Sequence, residues 1–295
     1  MPLHMVDEWT DRDDDRACAL PGGRWATAND RALVAWGPDG PGTPDVRDEP
    51  VPGPLVWSAG TDSVHWGPIV VGRPGAPLAQ LVQSALADVG SDADRRYELA
   101  AGAVRDDGER AVLVLRRRKT KVAGASDDLA SPEVRIAIVS TDDGQLLETV
   151  PDDDAVPTAV SWARGPLLLA RAGSVLDGQD GDGALVDRPL GTPASVPRCL
   201  AVSPLGMAAA GMGDGSIVAW ELDTDPAAGQ AVHDGPVRSL AWAPDRVIVA
   251  SSGDLGVTIG MIHPNRPEAG QPTNFPFFTI WRRPSASAPW RYVAE

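Results

Sequence analysis

The chain has 295 residues, 43% of them hydrophobic, and its 31 Gly and 28 Pro interrupt helices and supply turns, which excludes a long-helix or coiled-coil protein. With 26 Lys and Arg against 41 Asp and Glu, the net charge of −15 argues against nucleic acid or an anionic membrane as the main partner. No run approaches the ~18 consecutive apolar residues of a membrane span, and two cysteines, Cys18 and Cys199, fit a reduced cytoplasm better than a disulfide framework.

In chain order, the opening MPLHMVDEWTDRDDDR is acidic where a secretory signal is basic and then apolar, so export is not expected. ANDRALVAW (28–36) reads as a turn and a strand, with Asp30 six positions before Trp36. PDGPGTPDVRDEPVPGP (38–54) lacks periodicity and reads as a long surface connection. His65, beside Trp66, reads as a strand residue and becomes a ligand candidate only if it faces a channel.

APLAQLVQSALADVG (76–90) places Leu78, Leu81, Val82, Ala85, Leu86 and Val89 on one helical face, with Pro77 in the first turn and Gly90 as the stop. The spacing predicts a helical insertion over 76–90, packed on the flank of its neighbours or offered as a docking helix or lid. The strand AVLVL (111–115) precedes a basic, flexible loop insertion over 116–133. There Arg116, Arg117, Arg118, Lys119 and Lys121 form the dense basic cluster, a candidate partner-binding patch. No interleaved aromatics accompany it, so base stacking is not expected. LDGQDGDGALVD (176–187) brings Asp177, Asp180, Asp182 and Asp187 together. Gly181 takes the fifth position and no Glu closes the loop, so a solvated hairpin is expected rather than a calcium site.

A forty-residue period runs through the rest. AVSWARG (159–165), LAVSPLG (200–206) and LAWAPDR (240–246) align without gaps, anchored at Trp162, Val202 and Trp242. MGDGSIVAW (212–220) and SGDLGVTIG (252–260) repeat the Asp30/Trp36 spacing as Asp214/Trp220 and Asp254/Gly260. Each unit reads as strand, Asp-containing turn, strand. With weaker anchors near Ala19 or Leu20, Trp66, Val104 and Trp281, the count favours seven units, and six plus a tail is the alternative. The expectation is an all-β, single β-propeller of four-stranded blades over 1–295, its N-terminal HMVDEWT closing the last blade.

The segment HDGPVRSLAWAPDRVIVASSGDLGVTI (233–259) resembles a WD40 repeat in nearly every position, VSPLGMAAAGMGDGSIVAWELDT (202–224) resembles the same pattern with Trp220-Glu221 where the family has Trp-Asp, and RWATANDRALVAWGPDG (24–40) is similar to its second half. That resemblance implies a His–Ser/Thr–Asp–Trp hydrogen-bond chain locking each blade. His233, Ser252 and Asp254 match it, with Gly260 in place of the Trp; Asp214 and Trp220 match, with Met212 at the Ser position; Asp30 and Trp36 match, with Ala28 there. These seven matching residues are expected to hold blades rather than touch a partner.

No catalytic motif emerges. GMGDGS (211–216) lacks the helix a phosphate loop needs, no Gly-x-Ser-x-Gly elbow exists, and the four histidines have no zinc-spaced partner. The reading is therefore a non-catalytic, cytoplasmic protein–protein interaction platform without cofactor or metal, whose partners carry basic surfaces. The alternative is a propeller enzyme or small-ligand or metal binder using the central channel.

Overall fold

The computed structural model describes residues 16–21, 24–37, 40–90, 96–118, 133–150, 157–162, 166–179, 186–190, 195–202, 206–222, 224, 226, 230–231, 236–237, 239–243, 246–250, 255–262, 275–282 and 291–294; from 241 onward only the backbone is described. Among these residues the protein is all-β, with six antiparallel sheets and one helix.

The first sheet runs β1 (Arg16–Leu20), β2 (Arg24–Ala28), β3 (Ala32–Gly37) and β4 (Gly40–Pro41), with β5 (Asp45–Val46) also on β3. The second has three strands, β6 (Leu55–Ser58), β7 (Ser63–Trp66) and β8 (Ile69–Val70), and is followed by α1 (Leu78–Ala85). The third comprises β9 (Tyr97–Val104), β10 (Arg110–Arg117), β11 (Val134–Ser140) and β12 (Leu146–Val150). The fourth is β13 (Ala159–Trp162), β14 (Pro166–Arg171), β15 (Ser174–Gln179) and β16 (Val186–Pro189). The fifth is β17 (Pro197–Val202), β18 (Met207–Met212), β19 (Ser216–Glu221) and β20 (Gln230–Ala231). The sixth is β21 (Ser239–Ala243), β22 (Arg246–Ala250), β23 (Leu255–Ile262), β24 (Phe275–Arg282) and β25 (Arg291–Ala294).

Each sheet is drawn from one continuous stretch of chain, strand following strand. First strands meet across sheets: β1 packs on β6, β9 on β13, β13 on β17, β17 on β21 and β21 on β1, while β7 and β8 bring the second sheet against β9. This arrangement is consistent with an all-β propeller.

The described residues form six sheets where the period favours seven units. Trp281, counted as the opening of a seventh unit, lies in β24 and pairs with Gly256 of β23. Trp66, likewise counted as an anchor, sits on the middle strand β7, opposite Leu55. Apolar, aromatic later strands resemble first strands in a one-dimensional count. The segment HMVDEWT lies outside the described residues.

Packing explains why the central strands are apolar without interruption. In β10, Ala111, Leu113 and Leu115 enter the core shared with the second sheet and α1, while Val112 and Val114 enter the core shared with the fourth sheet. In β14, Leu167 and Leu169 face the third sheet's core and Leu168 and Ala170 the fifth's. Strands covered on both faces lose the polar alternation of a half-exposed strand. The helix takes the flank that a fourth strand of the second sheet would cover: Leu81, Ala85 and Leu86 pack with Val70 against Tyr97, Leu113 and Val139.

Backbone sterics tie the fifth sheet to the segment entering the sixth. Val237 N–H donates to the Met212 carbonyl at 3.0 Å, and an ideal Cβ on Gly211 would lie 2.5 Å from Val237 Cγ1 and 2.7 Å from Cys199 Sγ. Gly211→Ala should therefore destabilise the fold by about 1–3 kcal/mol, as overpacking does. Gly37→Ala, with nothing within 4 Å of the added methyl, should stay within about 0.5 kcal/mol. Urea midpoints of the two variants check this difference.

Candidate interaction surface

Two sequence triplets organise one end of the third sheet. Asp106-Asp107-Gly108 joins β9 to β10, and Asp142-Asp143-Gly144 joins β11 to β12. The turns use the same chemistry. Asp107 Oδ1 accepts the Glu109 N–H at 3.0 Å, Asp143 Oδ1 accepts the Gln145 N–H at 3.0 Å, and the two glycines adopt φ of 77° and 74°.

These hairpins are bonded to each other and to the second sheet. The Thr141 hydroxyl, on a buried residue, donates to the Gly108 carbonyl at 2.6 Å, and Arg73 reaches the same carbonyl at 3.1 Å and Asp142 Oδ1 at 2.9 Å. The Ser58 hydroxyl lies 2.7 Å from the Asp106 carbonyl and 2.8 Å from its Oδ1. Gln80, on α1, donates to the Asp143 carbonyl at 2.6 Å. On the far side Arg105 pairs with Asp107 and stands 5.8 Å over the ring of Trp162, in the fourth sheet. Burial pushes the Asp107 carboxyl up, but the bonds from Arg105 and the Glu109 N–H hold it below the usual carboxylate range.

Beneath the 59–62 hairpin lies His65, 4% exposed. Its Nε2 is 3.2 Å from Thr61 Oγ1, which is 2.7 Å from Ser63 Oγ. Asp62 adopts a left-handed φ of 49° at the hairpin tip, a conformation Asp tolerates better than most residues. The surface above carries four acidic side chains: those of Asp107 and Glu109, which share Arg105, are 41% and 68% exposed, that of Asp142, paired with Arg73, is 61% exposed, and Asp62 is exposed.

The predicted locking residues behave differently from one another. Trp36 Nε1 donates to Thr27 Oγ1 at 2.9 Å, both buried. The acceptor is Thr27, not the Ala28 position, because Trp36 stands opposite Trp25 and one pleat further on the same face is Thr27. Asp30 is exposed; its carbonyl accepts the Val51 N–H at 2.7 Å, and the turn is held by Asn29, whose Oδ1 accepts from Arg31 and Ala32. Asp214 binds its own turn, accepting the Ser216 hydroxyl at 2.6 Å and N–H at 2.9 Å, which holds its carboxyl below the usual range. Trp220 stands opposite Ala208, so the position matching Thr27 is Ala210, and its Nε1 is buried without a partner among the described residues. His233, Ser252 and Asp254 lie outside the described residues.

The basic cluster sits at the opposite end of β10. Arg116 pairs with Glu98 at 2.5 Å and Arg117 with Glu133 at 3.1 Å, both arginines staying about half exposed. Arg118 is exposed, and Lys119 and Lys121 lie outside the described residues. Of the 176–187 carboxylates, Asp177 pairs with Arg188 at 2.9 Å and Asp187 with Arg171 at 2.8 Å, while Asp180 and Asp182 lie outside the described residues. No group of three His, Cys, Asp or Glu side chains converges among the described residues, and no described helix is long and apolar enough to cross a membrane.

No protein-family model and no curated protein matches the sequence. Among solved structures, a chain of the mitotic checkpoint complex is similar over 100% of this chain and 86% of its own, at 13% identity and a TM-score of 0.45. The computationally designed Ika4 protein is similar over 48% of this chain and 79% of its own, at 19% identity and a TM-score of 0.36. Both likenesses are too shallow to assign a family.

The hairpin clamp has a measurable energy. Thr141→Val removes a buried hydrogen bond with little change of shape and should cost about 1–2 kcal/mol in chemical denaturation. The two thiols provide a separate check. Both are free, and burial pushes each up to about 12. At pH 8 a thiol reagent should modify native protein at least 10-fold more slowly than urea-unfolded protein, because the thiolate is the reacting form.

Proposed function

We propose that this chain is a non-catalytic protein-interaction platform, a six-bladed β-propeller similar to WD40 proteins, acting in the cytoplasm. Six sheets in chain order among the described residues, with β1 packed on β6, β7 and β8 on β9, β9 on β13, β13 on β17, β17 on β21 and β21 on β1, support a closed ring of six blades. The two free cysteines suit a reducing compartment.

One observation carries the functional reading. At the end formed by the 59–62, 105–109 and 141–145 hairpins, the backbone is cross-braced by Ser58, Arg73 and Thr141, while the side chains of Asp62, Glu109 and Asp142 face solvent. A braced surface loses little ordering entropy when a partner docks. Its charge, on a molecule of net −15, selects partners with basic surfaces and makes association faster at low salt.

The test compares wild type with the triple variant Asp62→Asn, Glu109→Gln, Asp142→Asn. These changes remove charge and leave the bracing bonds of Ser58 and Thr141 in place. A protein captured by wild type in near-equal amount, released by moderate salt and lost with the triple variant, supports the reading. Capture that is indifferent to the variant and to salt refutes this surface as the contact.

A further inference from the structure

We propose that His65 is an acid-sensitive latch for the hairpin surface: neutral, it stays folded under the 59–62 hairpin, and protonated it drives that hairpin and its Asp106 contact open. The inference rests on reading this end as the docking face and adds how that face is regulated.

The geometry is that of a buried, neutral imidazole. His65 lies on β7 between Val56 of β6 and Val70 of β8, its register partners on either side. Its polar contact is a hydroxyl, Thr61 Oγ1, which accommodates either role of a neutral ring but brings no counter-charge. The charged groups that face it are Asp106 and Asp107, from the β9–β10 hairpin, and Arg73, from the link after β8; β6 (LVWS) carries no titratable side chain. The carboxylates favour the cation and Arg73 opposes it, but burial outweighs both and lowers the group to about 4 from 6.5.

The sign follows. A folded value below the unfolded one means the closed hairpin binds fewer protons than the open one. Closure is fully stabilised above pH 6.5 and loses that stabilisation as pH falls through 6.5 toward 4. The open population should rise about 50-fold between pH 7 and pH 4.5. Ser58 joins the hairpin's base to Asp106, so opening is transmitted to 105–109. The Asp107 carboxyl, held below the usual range, stays charged over this interval and does not contribute.

The experiment is hydrogen exchange on the full chain at pH 7.0 and 4.5, expressed as protection factors, for wild type and His65→Gln. In wild type, protection over 56–66 and 103–110 should fall about 50-fold more than over 166–179 in the fourth sheet. In His65→Gln that excess should vanish. A uniform fall across the molecule, or an excess that persists in the variant, overturns the latch. If His65→Gln does not fold, the His65 ring is titrated by NMR in wild type: a midpoint below 5 supports the latch, and one at or above 6.5 overturns it. Binding of a decalysine peptide at pH 7 tests the docking face by itself, so its failure alongside selective exchange refutes the platform and leaves the latch standing.

Discussion

Burial of both faces of the central strands β10, β14 and β18 is the constraint on which the described structure depends. A sheet of three to five strands cannot satisfy it alone, and each described core joins two consecutive sheets. Ala111, Leu113 and Leu115 look one way from β10 while Val112 and Val114 look the other. Stability is thereby pooled between neighbours: a cavity at Leu113 loosens the third sheet's grip on α1 and the second sheet, not on the fourth. The second sheet shows the rule under strain. With only three strands it lacks cover on one flank, and α1 supplies Leu81, Ala85 and Leu86 in place of strand residues.

Polar chemistry is then pushed to the strand ends, where backbone groups leave the ladder and need partners. At the 105–109 hairpin the solution is a shared acceptor. The Gly108 carbonyl takes both the Thr141 hydroxyl and an Arg73 N–H, so one oxygen registers the third sheet's two hairpins and the link from the second sheet. Arg105 extends the same registration to Trp162 through its guanidinium face. The outcome is a cross-bonded backbone beneath exposed acidic side chains.

The fold class was legible because turn residues and apolar strands recur at a fixed interval, and Trp162, Val202 and Trp242 occupy equivalent first strands. Period counting does not tell a first strand from a later one: FPFFTIWR has the same apolar character as LAWA but lies at β24. The basic cluster drew attention through its density, whereas the pairing of Arg116 with Glu98 and of Arg117 with Glu133 spans 18 and 16 residues and is not visible in a linear reading. The acidic surface was missed although two Asp-Asp-Gly triplets marked it. Each triplet alone reads as an ordinary hairpin, and only the antiparallel pairing of β10 with β9 and β11 brings the two turns to one end.

Buried indoles show why side-chain hydrogen-bond chains can lapse while the sheets persist. Trp36 finds Thr27, but the indole N–H groups of Trp66, Trp162 and Trp220 have no partner among the described residues. Leaving such a donor unpaired costs about 1–3 kcal/mol. Burying an indole of roughly 200 Å² at about 25 cal/mol per Å² returns about 5 kcal/mol. Packing therefore wins at each position, and a sequence can lose Ser or Thr acceptors one by one without losing the sheet-to-sheet contact. Such hydrogen bonds refine the geometry of a sheet; the apolar faces decide how the sheets pack. In the fifth sheet Asp214 accordingly acts on its own turn, while Ala210, diagonal to Trp220, offers the indole no acceptor.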